Sequence, residues 1–512
     1  MPGIASGGLA WIRVVVLAAS VVSAWTWAAG AQPAPARGGE GAPTERWYAL
    51  EMMGAKAGWM RSVRGEGEGR VTTGTTLVIE ASRGDEGAVT MRIESEFVET
   101  AEGVPVSMRR VQRYGTTDLV QSYVFHERDV EVTSSQAGQT SVTRAARPEG
   151  AWLTPGAAER YVRQRFKSGA KEITVRTLSS EYGVTPVTIT RRVEGRERVQ
   201  ALGREIEATK WTVENSLMPA IKTTEWTDDE GEVIRSVTPM GPLSLTMTVT
   251  TEREAMAPAG ARAPEAMAST FVKGSRAIPN PRRVREASYV LRVAEGTLDL
   301  PPTAGAQVAT RLDERRVRVE VVVGRTSVPD GDAPAGRYLA STALCRTEDE
   351  VIAGLAAEGV RGVGGGSAEK AEALRRLVHR HIRRKTLDVG FATASEAART
   401  REGDCSEHAV LLAAVLRASG IPARAVAGLI YADEFAGAKD IFGYHMWTQA
   451  LVEVDGALRW VDLDATFPAG IPMDATHIAL AVSDLSDDDP TAGLLSVATV
   501  MGRLAIEVER TK

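Results

Sequence analysis

Cysteine is nearly absent: 512 residues contain only Cys345 and Cys405. That excludes a disulfide framework and allows one bridge at most, one that would disable either thiol as a nucleophile. Neither sign of charge dominates, with 61 basic against 66 acidic residues and a net charge of −5. Nothing here argues for nucleic acid or an anionic membrane as partner. No repeat of fixed period marks a solenoid. Beyond the N-terminus no stretch approaches a membrane span. The glycines of Gly54-Ala-Lys-Ala-Gly58 lack a following Lys-Ser/Thr, so they read as a strand connection and not a phosphate loop.

What is present begins with an apolar run after Arg13 that extends to Ala29. Ala29-Gly30-Ala31 fits a small-x-small cleavage site, so residues 1–31 read as a secretory signal peptide. An uncleaved membrane anchor is the alternative. The chain is therefore expected in the periplasm or outside the cell, with no other membrane contact. Residues 32–45, rich in Pro, Ala and Gly, read as a flexible tether.

Residues 46–254 read as an antiparallel β domain of unassigned role. Val89 to Phe97 alternates apolar and polar residues, with Ser95 as the exception. Thr223 to Val237 reads as a hairpin about Asp228-Asp229-Glu230-Gly231. Ala157 to Phe166 reads as a short helix. Strand-length statistics suggest about eight to ten strands in a twisted sheet or open barrel. The half holds one histidine, His126, and little chemistry. Residues 255–281, again rich in Ala, Pro and Gly, form the expected linker. Residues 282–512 follow as a mixed domain, so the fold class is α+β. Thr347-x-x-Glu350 and Thr393-x-x-Glu396 are capping-box patterns. Ala371, Leu374, Val378 and Ile382 mark an amphipathic helix between them.

The chemistry concentrates at Gly403-Asp-Cys405-Ser-Glu-His408. Gly403 and Asp404 are turn and N-cap types, apolar residues follow at helical spacing, and Gly420-Ile-Pro422 stops the helix. A thiol at a helix N-terminus meets unpaired N–H groups and the positive end of the dipole, which favour the thiolate. Such a nucleophile requires a base. His445 to Val454 and Leu458 to Thr466 read as strands around Asp455-Gly456. In a two-residue turn Val454 pairs with Ala457 and His445 with Thr466. Asp464 then shares a face with His445 at the diagonal position, about 7–8 Å away between Cα atoms. Asp462 shares that face one step farther and is the second choice. The N–H of Cys405 is a candidate oxyanion donor.

These segments, with Arg417-Ala-Ser-Gly-Ile-Pro-Ala-Arg424, Gly428, His445-Met-Trp447 and Trp460-Val-Asp-Leu-Asp464-Ala-Thr466, resemble the core of the transglutaminase-like superfamily. The resemblance covers roughly residues 338–480. It implies a papain-like domain with the cysteine helix packed on an antiparallel sheet, Cys405 as nucleophile, His445 as general base and Asp464 as third member. It implies a protein or peptide substrate and chemistry at an amide bond through an acyl-thioenzyme. Hydrolysis is favoured over acyl transfer to an amine, because the accessory domains and a calcium loop of the animal crosslinking enzymes are not visible. A non-catalytic envelope binding module on the same fold is the other alternative. No cofactor or metal is expected. Many relatives carry proline where this chain has Ala465. His408 reads as a packing residue, and His379 and His381 with their flanking arginines as a solvated helix end. Trp447 and Trp460 read as core, His477 as structural and Cys345 as a buried spare.

Overall fold

A computed structural model of the protein describes residues 43–512 apart from 53, 83–87, 114–117, 137, 220, 241–242, 259–269, 330–334, 386–391, 436, 472, 488–496 and 498–499. The expected signal segment and most of the tether fall outside the described residues. The chain divides near Ala266 into two compact units.

The first unit is built on one antiparallel sheet. Its first eight strands are β1 (Thr44–Met52), β2 (Ala55–Gly67), β3 (Arg70–Ser82), β4 (Ala88–Thr100), β5 (Pro105–Arg113), β6 (Asp118–Phe125), β7 (Asp129–Gln136) and β8 (Gln139–Ala146). After helix α1 (Pro155–Lys167) come β9 (Glu172–Thr177), β10 (Val187–Ala201), β11 (Arg204–Asn215), β12 (Lys222–Thr227), β13 (Val233–Met240) and β14 (Leu243–Thr250). The sheet runs β8 to β1 in sequence order, then β14 back to β9, joined by the β1–β14 pair. Met91, Ile93 and Phe97 are buried on one face, as period-two alternation requires. Ser95 interrupts them because its hydroxyl pairs with Thr75 across the strands at 2.6 Å.

Fourteen strands exceed the about eight to ten expected from strand-length statistics. The outer parts of β10 and β11 show why. Pairing continues from Arg196↔Thr209 to Ala201↔Arg204, yet Arg196, Glu197, Arg198, Glu205 and Glu207 are exposed there. Val199, Ala201, Ile206 and Ala208 do alternate there, but such short apolar runs among so many charges give only a weak period-two signal.

The second unit is α+β. Its helices are α2 (Glu350–Val360), α3 (Ser367–His381), α4 (Ala394–Thr400) and α5 (Cys405–Ala418). One sheet contains β15 (Val272–Lys273), β19 (Ala423–Phe435), β20 (Ala438–Val454), β21 (Ala457–Leu463) and β22 (Ile478–Ser483), in the order β15-β20-β19-β22 with β21 also on β20. A second sheet, β17-β18-β16-β23, uses β16 (Glu286–Val293), β17 (Gln307–Arg311), β18 (Arg316–Val322) and β23 (Leu504–Thr511). Helix α5 is the centre of the core: every residue from Cys405 to Arg417 is buried. Met446, Ala450 and Val452 of β20 join the same cluster, and Thr448 donates its hydroxyl to the Ala409 carbonyl at 2.9 Å. Among the described residues no helix is long and apolar enough to cross a membrane. One cap differs from expectation: Asp349, not Thr347, accepts from Val351 N at 3.0 Å and starts α2.

Candidate active site

The helix that begins at Cys405 is held by its own sequence. Asp404 is the N-cap, accepting from Ser406 N at 2.8 Å, and Glu407 accepts from Asp404 N at 2.9 Å, which completes a capping box. Glu407 is wholly buried, and its other oxygen accepts from Ala392 N at 2.9 Å. Burial, then the adjacent charge of Asp404, pushes its carboxyl well above the usual range. Gly403 sits at φ 152°, and a Cβ there would fall 2.3 Å from that of Glu407, so only glycine allows the cap to close. Cys405 is fully buried and belongs to the same core as Met446, Leu463 and Ala465, the chain neighbours of His445 and Asp464. It forms no disulfide with Cys345. Cys345 is buried against the Val410 carbonyl, and burial pushes its thiol up to about 11.

The β20–β21 hairpin has the two-residue turn. Val454 pairs with Ala457 and Thr448 with Leu463, and Asp455 and Gly456 both take positive φ, 50° and 76°. The ladder stops at Thr448↔Leu463, so the expected His445–Thr466 pair does not form and Asp464 is no diagonal strand neighbour; it lies just past β21, where the chain turns in and brings Oδ2 to 2.7 Å from His445 Nε2. Both side chains are fully buried. Asp462 is committed elsewhere, accepting from Trp447 Nε1, Gln449 Nε2 and Ala306 N at 2.7–2.8 Å. The other ring nitrogen of His445, Nδ1, is buried without a hydrogen-bond partner. His408 points its Nδ1 at the Asp404 carbonyl, 2.6 Å away, and burial lowers its pKa to about 4, so it stays neutral.

The basic cluster at the end of α3 divides: Arg376, Arg380, Arg383, Arg384 and Lys385 are exposed, as a solvated helix end requires, but Arg375 is wholly buried and donates to the carbonyls of Asp464 and Phe467 at 3.0 and 2.7 Å. His379 Nδ1 meets the Ala465 carbonyl at 3.0 Å, and Lys385 Nζ the Thr466 carbonyl at 2.9 Å. Arg375, Lys385 and His379, whose pKa burial lowers, thus pin the turn that carries Asp464. The i, i+4 spacing of Ala371, Arg375 and His379 beside the Leu374/Val378 stripe is the signal that could have found them.

Residues 354–465 match the family model of the transglutaminase-like superfamily. The second unit carries a transglutaminase-like domain. No curated protein matches the chain. Among solved structures, a β-barrel-like protein of the domain of unknown function DUF1849 from Brucella abortus is 13% identical, covering 40% of this chain and 95% of that one, at a TM-score of 0.31. A candidate cysteine protease from Cytophaga hutchinsonii is 16% identical over 43% of this chain and 83% of its own, at 0.26. The periplasmic domain of TgpA from Pseudomonas aeruginosa, solved with ethylmercury, is 18% identical over 38% and 95%, at 0.25.

In this transglutaminase-like domain a second histidine joins the pair, one that sequence reasoning set aside as structural. His477 Nε2 lies 3.2 Å from the same Asp464 Oδ2, and its Nδ1 lies 3.0 Å from the Asp474 carbonyl. Asp464 Oδ1 takes the N–H and hydroxyl of Thr466 at 2.8 and 2.7 Å. Burial alone would raise Asp464, but the charge and hydrogen bonds of His445 and His477 hold it well below the carboxylate range. His445, Asp464 and His477 place ligand-type atoms within 4.8 Å of one another. Their N···O separations are hydrogen-bond distances, which protons between them explain.

Two predictions arise here. Burial would lower His477, but the charge of Asp474 and the bonds to Asp464 and Asp474 raise it from 6.5 to about 9. A raised imidazole contributes stability that is complete below pH 6.5 and lost as pH rises through 9. Urea unfolding should show that fall, and His477→Gln should flatten it; an unchanged fall assigns the titration to another group. Gly428, paired with His445, leaves no room for a side chain: a Cβ would lie 2.1 Å from the Ile478 carbonyl of β22. Gly428→Ala should cost about 1–3 kcal/mol by the same measurement. A loss within error would mean β22 moves aside freely.

Proposed function

We propose that the second unit is a cysteine enzyme of transglutaminase-like type that cleaves a peptide or isopeptide amide through an acyl-thioenzyme, in an exported protein. Cys405 is the nucleophile, His445 the base and Asp464 its orienting carboxylate. The observation that carries this reading is the asymmetry of His445: Nε2 is engaged by Asp464 at 2.7 Å while Nδ1 is buried without a hydrogen-bond partner. A carboxylate on one ring nitrogen keeps that nitrogen protonated and leaves the lone pair on the other. Nδ1 takes the Cys405 proton, the thiolate adds to the substrate carbonyl, and the imidazolium returns the proton to the departing amine. Water then attacks the thioester, giving a carboxylic acid and restoring the thiol.

The test is incubation with a peptide library and an amine donor, read by mass. Cleavage or deamidation that disappears in Cys405→Ala supports hydrolysis. Amine incorporation would replace hydrolysis by acyl transfer at the same site. No product of either kind, with Cys405 reacting with iodoacetamide no faster than glutathione, would sink the enzyme reading and leave a binding module.

A further inference from the structure

His477 has acceptors on both sides and no donor. Nε2 faces the Asp464 carboxylate and Nδ1 faces the backbone carbonyl of Asp474, at 3.2 and 3.0 Å, with Asp474 Oδ1 a further partner at 3.4 Å. A carbonyl oxygen and an ionised carboxylate only accept, so both ring nitrogens must carry hydrogen, and the ring is an imidazolium. Asp474 is anchored in turn by Thr476 and by Arg282, which is paired to its other oxygen. A fully buried row results: His445, Asp464, His477, Asp474, with Arg282 closing it at its less buried end.

We propose that His477 is a positioning residue: held protonated by Asp474, it shares Oδ2 of Asp464 with His445 and so sets how strongly that carboxylate holds a proton on the base. The inference rests on the Cys405–His445–Asp464 reading. An unshared carboxylate would stabilise the His445 imidazolium with its full charge, and a cation on the same oxygen offsets part of it. The His477 ring centroid is 5.6 Å from that of His445, close enough for direct repulsion to act the same way. Other charges bear on the pair. Asp462 acts on His477, Tyr289 stands near Asp474, and His379, Lys385 and His408 lie within range of Asp464. None of these replaces the cation at Oδ2.

The test is the pH dependence of Cys405 alkylation by iodoacetamide in the full chain, with the labelled peptide identified by mass. In the wild type the rate should rise with pH in two steps that belong to the coupled thiol and imidazole together. His477→Gln should move the upper step to higher pH by about one unit. Asp474→Asn, which removes the charge that keeps His477 protonated, should move it in the same direction and serves if the first variant does not fold. Slower alkylation at every pH with the upper step in place, in either folded variant, would overturn the proposal and leave His477 a packing residue. Wild-type Cys405 reacting no faster than glutathione at pH 6 would instead defeat the triad reading, and this inference with it.

Discussion

On the proposed mechanism, Asp464→Asn should lower amide turnover by about 10³–10⁴-fold while leaving the chain folded. The Thr466 N–H and hydroxyl both donate to Oδ1, so an asparagine keeps its carbonyl there and turns its NH₂ toward His445 and His477. His445 Nε2 must then accept, which moves the ring proton to Nδ1, the nitrogen left for Cys405. A base protonated on the thiol side cannot take the thiol proton. Retention of more than a tenth of wild-type kcat would show that Asp464 does not set the tautomer. Far-UV dichroism and the urea midpoint of the variant separate this from simple unfolding. Cys405→Ala should abolish turnover in the same assay, since no other described thiol is placed at a helix start.

Arg375→Ala carries the largest expected loss of stability, about 3–5 kcal/mol. The guanidinium is wholly buried, bonded to Glu372 through two nitrogens at 2.7 and 2.9 Å and to the carbonyls of Asp464 and Phe467. Truncation leaves those carbonyls buried without a donor, about 1–3 kcal/mol each, and empties the space the side chain filled. Glu372 keeps partial solvent contact and Arg376, so the ion pair itself contributes less. Arg375→Lys should recover only part of the loss, because one ammonium cannot span both carbonyls and the carboxylate. Urea unfolding checks both; a loss under about 1 kcal/mol in Arg375→Ala would mean the turn closes by itself.

The contrast between these two residues shows where sequence reading stops. The two-residue turn was legible because Asp455-Gly456 specifies it and the turn fixes the register as far as Thr448↔Leu463, but the strand ends there, and Asp464 meets His445 through a turn that pairing arithmetic does not describe. The spacing of Arg375 could mark it as buried but not say what it meets: besides Glu372 one turn away, its partners are the carbonyls of Asp464 and Phe467, distant in the chain, which carry no residue-type signal. His477 was missed for the same reason: it lies just before β22 and meets His445 of β20 only through one shared oxygen of Asp464. Glu407 lay in the Asp404-x-x-Glu pattern, yet its burial, and hence its raised pKa, came from the packing of α5 against its neighbours.

The sequence by itself determined the α+β class, the helix start at Cys405 and the two-residue hairpin between β20 and β21, because caps, turns and strand alternation are local and repeat the same physics in any chain. Only the tertiary structure decided how Asp464 meets His445 and what surrounds them: the buried arginine beneath the Asp464 turn, the second imidazole on its carboxylate, and the unpartnered Nδ1 of His445. Those depend on which distant groups share one buried, low-dielectric volume, where an unmet donor or charge is costly enough to select its partner.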